Sequence, residues 1–227
     1  MGMHDGHRQR LRERFQKDGL DNFDEINVLE ILLFYIIPRQ DTNEVAHRLL
    51  DRFGSLENVL DAKLEDLVTV KGISDNAATY LTLIREVSRY YQVRKADLGE
   101  PLNTVEAYCN VLVPQFLGRR NEMVYMLCLD AKSKMISCNL VGEGSINSAN
   151  VPVRKIIETA LAANATMVVL AHNHPGGVAV PSAEDIYSTR HLAQVLSALD
   201  ILLLDHVVVA DSQAVSMVSS GQYKPEI

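Results

Sequence analysis

From Asn27 to Tyr91 apolar residues recur at helical spacing, broken by short polar turns at Pro38-Arg39-Gln40-Asp41, Gly54-Ser55 and Lys71-Gly72-Ile73-Ser74. The pattern predicts helices joined by tight turns. Thr42 is placed to cap the helix containing EVAHRLLDRF, and Ser55 the one beginning LENVLDA, because a side-chain oxygen there can accept from the free N–H groups of the first turn. After a polar link, Gln92–Thr104, which holds Gly99 and Pro101, the pattern changes. EMVYMLCLD, KMISCNLVGEG, TMVVLAHNH and ILLLDHVVVAD read as strands, with helices over Val153–Asn164 and Ala183–Asp200 between them. Asp130-Ala131-Lys132-Ser133 joins the first two strands as a hairpin. The expected organisation is an all-helical domain over residues 1–98, then an α/β domain over residues 104–227.

Composition narrows the class. A chain of 227 residues with 47% hydrophobic content can bury a core in each half. Cys109, Cys128 and Cys138 form no CxxC pair and are odd in number, which argues for packing thiols in a reducing compartment. The longest apolar run, Ile31–Ile37, is far short of the roughly 20 residues of a membrane span. The charged N-terminus, MGMHDGHRQRLRERF, has no apolar signal core, so the expected location is the cytoplasm, with no membrane partner. The net charge is -7, which gives no support for a broad nucleic-acid surface. Arg8, Arg10, Arg12, Arg14 and Lys17 form a local basic exception that reads as a solvated helical face.

In the helical half, a short apolar helix, the turn VKGIS and the helix DNAATYLTLIREV outline a helix-hairpin-helix unit. Leu29–Phe53 reads as a degenerate first copy. Such a turn can hold a phosphate on backbone N–H groups without reading a base, which makes a weak, sequence-independent DNA contact one expectation. Ser74 stands where the second glycine of the hairpin usually falls, and Asp75 would repel an anion beside it. A compact helical domain that contacts protein or its own partner domain is the competing reading.

The chemistry concentrates in AHNHPGGVAVPSAED, Ala171–Asp185. His172 and His174 close a strand two residues apart, so their imidazoles share one face, while Asn173 points to the other as a structural residue. A catalytic zinc takes three protein ligands and keeps a fourth position open. Asp185 lies one turn into the helix after the Pro175-Gly176-Gly177 reversal, where its carboxylate can complete a two-His, one-Asp set. Ser182 and Asp185 also have the spacing of a capping box, the plain structural alternative. His206, on the apolar stretch LLDHVVV, reads as a satisfied core histidine, and it and Asp205 fall outside the expected site.

The series His172, His174, Ser182 and Asp185, spaced H-x-H-x7-S-x-x-D, resembles the JAMM signature of JAB/MPN-domain zinc metalloproteases and isopeptidases. AHNHPGG with PSAEDI, VPVRKIIETAL before it and LDHVVV after it resemble the RadC family in particular. That resemblance implies a JAB/MPN-like, cytidine-deaminase-like α/β domain preceded by a helix-hairpin-helix region. It further implies Zn2+ held by His172, His174 and Asp185, an activated water, and hydrolysis of an amide or isopeptide bond in an unknown peptide or protein substrate. By the same resemblance Glu122 is the general base, with Glu143 and Glu158 as competitors, and Ser182 stabilises the oxyanion. A deaminase would need H-x-E and P-C-x-x-C, which are missing from this sequence. The letters His172-Asn173-His174 are contiguous, whereas HNH nucleases spread those residues over a hairpin and a helix. The rival of a different class is a DNA-binding repair or recombination accessory protein that works through the helical region.

Overall fold

A computed structural model of the protein describes residues 3–38, 41–96, 100–144 and 153–225. The chain divides into two compact units, Met1–Ser88 and Arg89–Ile227.

The first unit is built from α1 (Met3–Asp18), α2 (Glu25–Phe34), α3 (Thr42–Phe53), α4 (Leu56–Asp61), α5 (Leu64–Leu67) and the start of α6 (Asp75–Ala96). Leu29, Leu33, Leu49, Val59, Leu67 and Leu81 are fully buried in one core, the expected result of helical apolar spacing with short turns. Side-chain caps set the helix starts. Ser55 accepts from the Asn58 N–H at 3.2 Å. The cap of α3 is Asp41 rather than Thr42: the Asp41 carboxylate accepts from the Asn43 N–H at 2.9 Å, and Thr42 lies buried at the first helical position. Residues 39 and 40 of the expected Pro38–Asp41 turn lie outside the described residues. Gly72 (φ 102°) supplies the left-handed step of the VKGIS turn, and Ser74 caps α6 by accepting from the Ala77 N–H at 3.3 Å.

Part of the basic N-terminal helix is committed inward, which corrects its reading as a solvated face. Arg8 donates to the Ile37 carbonyl at 3.0 Å and lies over the Phe34 ring, and Arg14 donates to Asn27 Oδ1 at 3.0 Å and lies over Phe23. At its other end the unit runs into α6, which continues to Ala96 through part of the polar link. Residues 97–99 of that link lie outside the described residues. Among the described residues no helix is long and apolar enough to cross a membrane.

The second unit contains α7 (Val105–Leu112), a 3-10 turn (Val113–Phe116), β1 (Met123–Leu129), β2 (Met135–Glu143), α8 (Val153–Ala162), β3 (Met167–Asn173), α9 (Ala183–Ser197), β4 (Leu202–Ala210) and β5 (Gln213–Ser216). The sheet order is β2-β1-β3-β4-β5, with β3 and β4 parallel and every other pair antiparallel. The hairpin expected at Asp130–Ser133 joins β1 to β2, tied by the Asp130 carboxylate, which accepts from the Lys132 and Lys134 N–H groups. The helices α8 and α9 stop short of Asn164 and Asp200, because both residues turn left-handed (φ 51° and 57°). The pattern had not suggested α7 or the four-residue β5.

Helices cover both faces of the sheet. Val124, Met126, Cys128, Val168 and Leu170 pack with Ile156 of α8 and with Leu192 and Leu196 of α9 on one face. Met123, Tyr125, Leu127, Val169, Ala171, Val207 and Val209 pack with Tyr108, Val111 and Leu112 of α7 on the other. Double coverage explains why β1 is apolar and buried at every position instead of alternating.

A bulge in the β3–β4 ladder decides where the polar residues of β4 point. Val168 pairs with Leu203 but Val169 pairs with Asp205, so Leu204 is passed over. Asp205 therefore faces α7, where it accepts from Tyr108 Oη at 2.5 Å, Ser216 Oγ at 2.5 Å, and the N–H groups of His206 and Val218 at 2.7 and 3.0 Å. Burial, and then Asp205, push the Tyr108 phenol up, so it stays a donor. Tyr108→Phe should cost about 1–3 kcal/mol in a urea melt, since it removes one of four donors from a buried carboxylate without leaving a void. An unchanged midpoint would mean that the bond carries no stability.

Candidate metal centre

The β1–β3 register places Val124 opposite His172, so both side chains leave the sheet on the α8/α9 face. His174 follows the end of β3, and its N–H extends the ladder to the Val209 carbonyl at 2.8 Å. The chain then reverses through Pro175-Gly176-Gly177. Gly176 is left-handed (φ 67°), and a Cβ on Gly177 would press within 3.3 Å of His174 Cβ, so the two glycines answer two separate constraints. The reversal delivers Ser182 as N-cap of α9 and Asp185 in its first turn.

The three expected ligands meet there. His172 Nε2 and His174 Nε2 are 2.9 Å apart, and the Asp185 carboxylate oxygens lie 3.4 Å from the first and 3.7 Å from the second. One donor atom from each falls within 4.8 Å of the others. Their side chains are 12%, 24% and 13% exposed, so they are mostly withdrawn from water without being sealed off. His174 Nδ1 lies 3.1 Å from the Val178 carbonyl, which can only accept, so Nδ1 carries the proton and Nε2 turns a lone pair toward the cluster. Two imidazole nitrogens and a carboxylate oxygen converging in this way form the mixed N/O donor set that suits a zinc ion, so the residues fit the metal.

Ser182 and Asp185 also form the capping box. Ser182 Oγ accepts from the Asp185 N–H at 3.1 Å and donates to Asp185 Oδ2 at 2.6 Å, and the Ser182 N–H donates to the same oxygen at 2.8 Å. The capping box is therefore present, and it holds the carboxylate that faces the histidines. Burial would raise the Asp185 pKa, but His172 and the Ser182 bonds outweigh it and hold the carboxyl well below its usual range.

Glu122 precedes β1, two residues before Val124, so it shares the His172 face, and extending the register sets it across from His174. Asn173, buried on the opposite face as expected, brackets it: Oδ1 accepts from the Met123 N–H at 2.7 Å and Nδ2 donates to the Asn121 carbonyl at 3.1 Å. Glu143 pairs with Met123, whose side chain lies in the α7-side core, so it belongs to the opposite face. Glu158 is paired with Arg154 at 2.8 Å and lines a surface groove beside Asn139 and Leu140 of β2.

His206 is the residue that sequence reasoning left outside. It is buried on the ligand face, with Nε2 2.8 Å from His172 Nδ1 and Nδ1 2.6 Å from Thr189 Oγ1. Burial, and then His172, push its pKa from 6.5 down to about 3. The folded protein thus holds it neutral while the unfolded chain would take up the proton, so this contribution to stability is full above about pH 6.5 and lost as pH falls toward 3. His206 is thus the satisfied core histidine that its apolar strand suggested; what the sequence did not show is that its partner is His172, because the residue passed over in the β3–β4 ladder is what turns it to that face.

A family model described as a RadC-like JAB domain matches residues 102–222, and one described as UPF0758 N-terminal matches residues 6–79. A UPF0758 protein of Paraburkholderia xenovorans is 34% identical over 210 residues, covering 92% of this chain and 83% of the relative. One from Fusobacterium nucleatum is 31% identical over 223 residues, covering 95% and 96%, and one from Pseudoalteromonas translucida is 32% identical over 213 residues, covering 94% and 95%.

Proposed function

The chain belongs to the RadC family, with a JAB/MPN-like α/β domain behind a helical N-terminal region, and on that premise we propose that it is a zinc-dependent hydrolase of peptide or isopeptide bonds. The observation that carries the reading is the convergence of His172 Nε2, His174 Nε2 and an Asp185 oxygen within 4.8 Å, on side chains that keep partial exposure to solvent. Without a metal ion or a shared proton, three electron-rich groups would face one another at contact distance.

His172, His174 and Asp185 would hold the ion, which when bound supplies Lewis acidity toward a carbonyl oxygen and its attacking water. Glu122, on the same face, takes the proton of that water and returns it to the departing amine; a carboxylate can do both in turn because the first transfer leaves it as an acid. Ser182 holds Asp185 in the ground state. Its hydroxyl proton is the one donor in the cap free to swing toward a developing oxyanion, because the Asp185 carboxylate keeps the Ser182 N–H when the hydroxyl turns away.

The test is a zinc titration of chelator-stripped protein, paired with a proteome-wide search for newly exposed termini and freed lysine side chains after incubation with the loaded protein. Uptake of about one ion per chain with discrete cleavage products is expected. Failure to take up zinc would remove the metal reading, and uptake without any amide cleavage would leave a metal protein that is not a hydrolase.

A further inference from the structure

The hydrogen bonds behind the metal ligands end on a group whose role is fixed, and this decides the proton positions of the whole chain. Thr189 Oγ1 lies 2.6 Å from the Asp185 main-chain carbonyl and 2.6 Å from His206 Nδ1. The carbonyl has no proton, and the other acceptor near the hydroxyl, the weak and longer Met217 Sδ at 3.6 Å, cannot relieve two oxygens 2.6 Å apart, so the single hydroxyl proton of Thr189 lies between Oγ1 and that carbonyl. Thr189 must then accept from His206, which puts a proton on His206 Nδ1. His206 is 5% exposed, and a second ring proton would make it a cation away from water, so Nε2 is bare. The 2.8 Å contact between His206 Nε2 and His172 Nδ1 consequently needs the proton of His172 Nδ1. With Nδ1 committed in this way, the Nε2 position of His172 is the one left to give a lone pair to an ion held with His174 and Asp185.

The reverse polarity fails at both ends. It would leave Thr189 Oγ1 and the Asp185 carbonyl as two acceptors 2.6 Å apart without a proton, and would put a proton on His172 Nε2, the atom that has to ligate.

We infer that His206 and Thr189 are positioning residues of the metal centre: the relay His172 Nδ1–H to His206, His206 Nδ1–H to Thr189, Thr189 O–H to the Asp185 carbonyl imposes the ligating tautomer of His172 and ties it to the backbone of a second ligand. The relay starts on one ligand residue and ends on another, so it couples a strand ligand to a helix ligand through two side chains that never touch the ion. Outer partners of this kind typically matter about 10–100-fold in metal affinity.

The inference rests on the metal reading, and its test separates the two. Zinc affinity is measured by chelator competition for the wild type, Thr189→Val and Thr189→Ser, with thermal melts of each metal-free protein as a control for folding. Valine keeps the shape of threonine but cannot accept from His206 or donate to Asp185, so a loss of about 10–100-fold is expected, while serine, which restores the hydroxyl, should return affinity close to wild type. Long-range proton–nitrogen NMR then reads the tautomers, with the proton expected on Nδ1 of both His172 and His206 in the zinc-loaded protein and on Nδ1 of His206 already in the metal-free one. A Thr189→Val protein that melts like wild type and binds zinc equally well overturns the inference, as does a His206 proton on Nε2. A wild type that binds no zinc sinks the metal reading itself and the inference with it.

Discussion

Asp185→Ala is expected to abolish zinc retention, from about one ion per chain to none after dialysis, because it deletes the only carboxylate of a three-ligand set. The same side chain closes the capping box of α9, so the variant should also lose about 1 kcal/mol of stability. Ser182→Ala tells the two roles apart. It removes the cap oxygen at a similar cost in stability but leaves three donor groups in place, so it should keep its zinc. Metal analysis alongside urea melts of both variants reads the result. Full zinc in the Asp185 variant would reduce that residue to a helix cap.

Glu122→Gln should retain zinc and its melting behaviour yet lose about 10²–10⁴-fold in turnover, the range that a positioned general base contributes. The change is close to isosteric, and the Asn173 bonds that fix the start of β1 reach the main chain on either side, at Asn121 and Met123, and are untouched by it. The assay follows the cleavage products of the proteome-wide search at saturating zinc. Wild-type rates would move the base elsewhere. Glu143 would then require a substrate route to the opposite face of the sheet, and Glu158 would first have to leave Arg154.

Much of the candidate site was legible because its signals are local. His172 and His174 are two residues apart on a strand, and strand geometry alone puts them on one face. Ser182 and Asp185 sit at capping-box spacing, and that local device positions the carboxylate whatever surrounds it. The expected strands in the second half all form, since apolar runs bounded by turn residues leave few alternatives. Misreadings came where a longer-range contact outbid a local preference. Thr42 is a good cap residue by type, but the core takes its side chain and the cap falls to Asp41. Arg8 and Arg14 read as solvent-facing charges until Phe34 and Phe23 are seen beneath them.

By itself the sequence determined the three converging donors, the strand-reversal-helix order that presents them, and the buried apolar face of the helices in the first half, because each depends on neighbours a few residues apart. The tertiary structure alone decided the proton relay. One residue passed over in the β3–β4 ladder sends Asp205 toward α7 and His206 toward His172. A register shift is a property of two paired strands and of the layers packed on them, and no periodicity within a single strand encodes it.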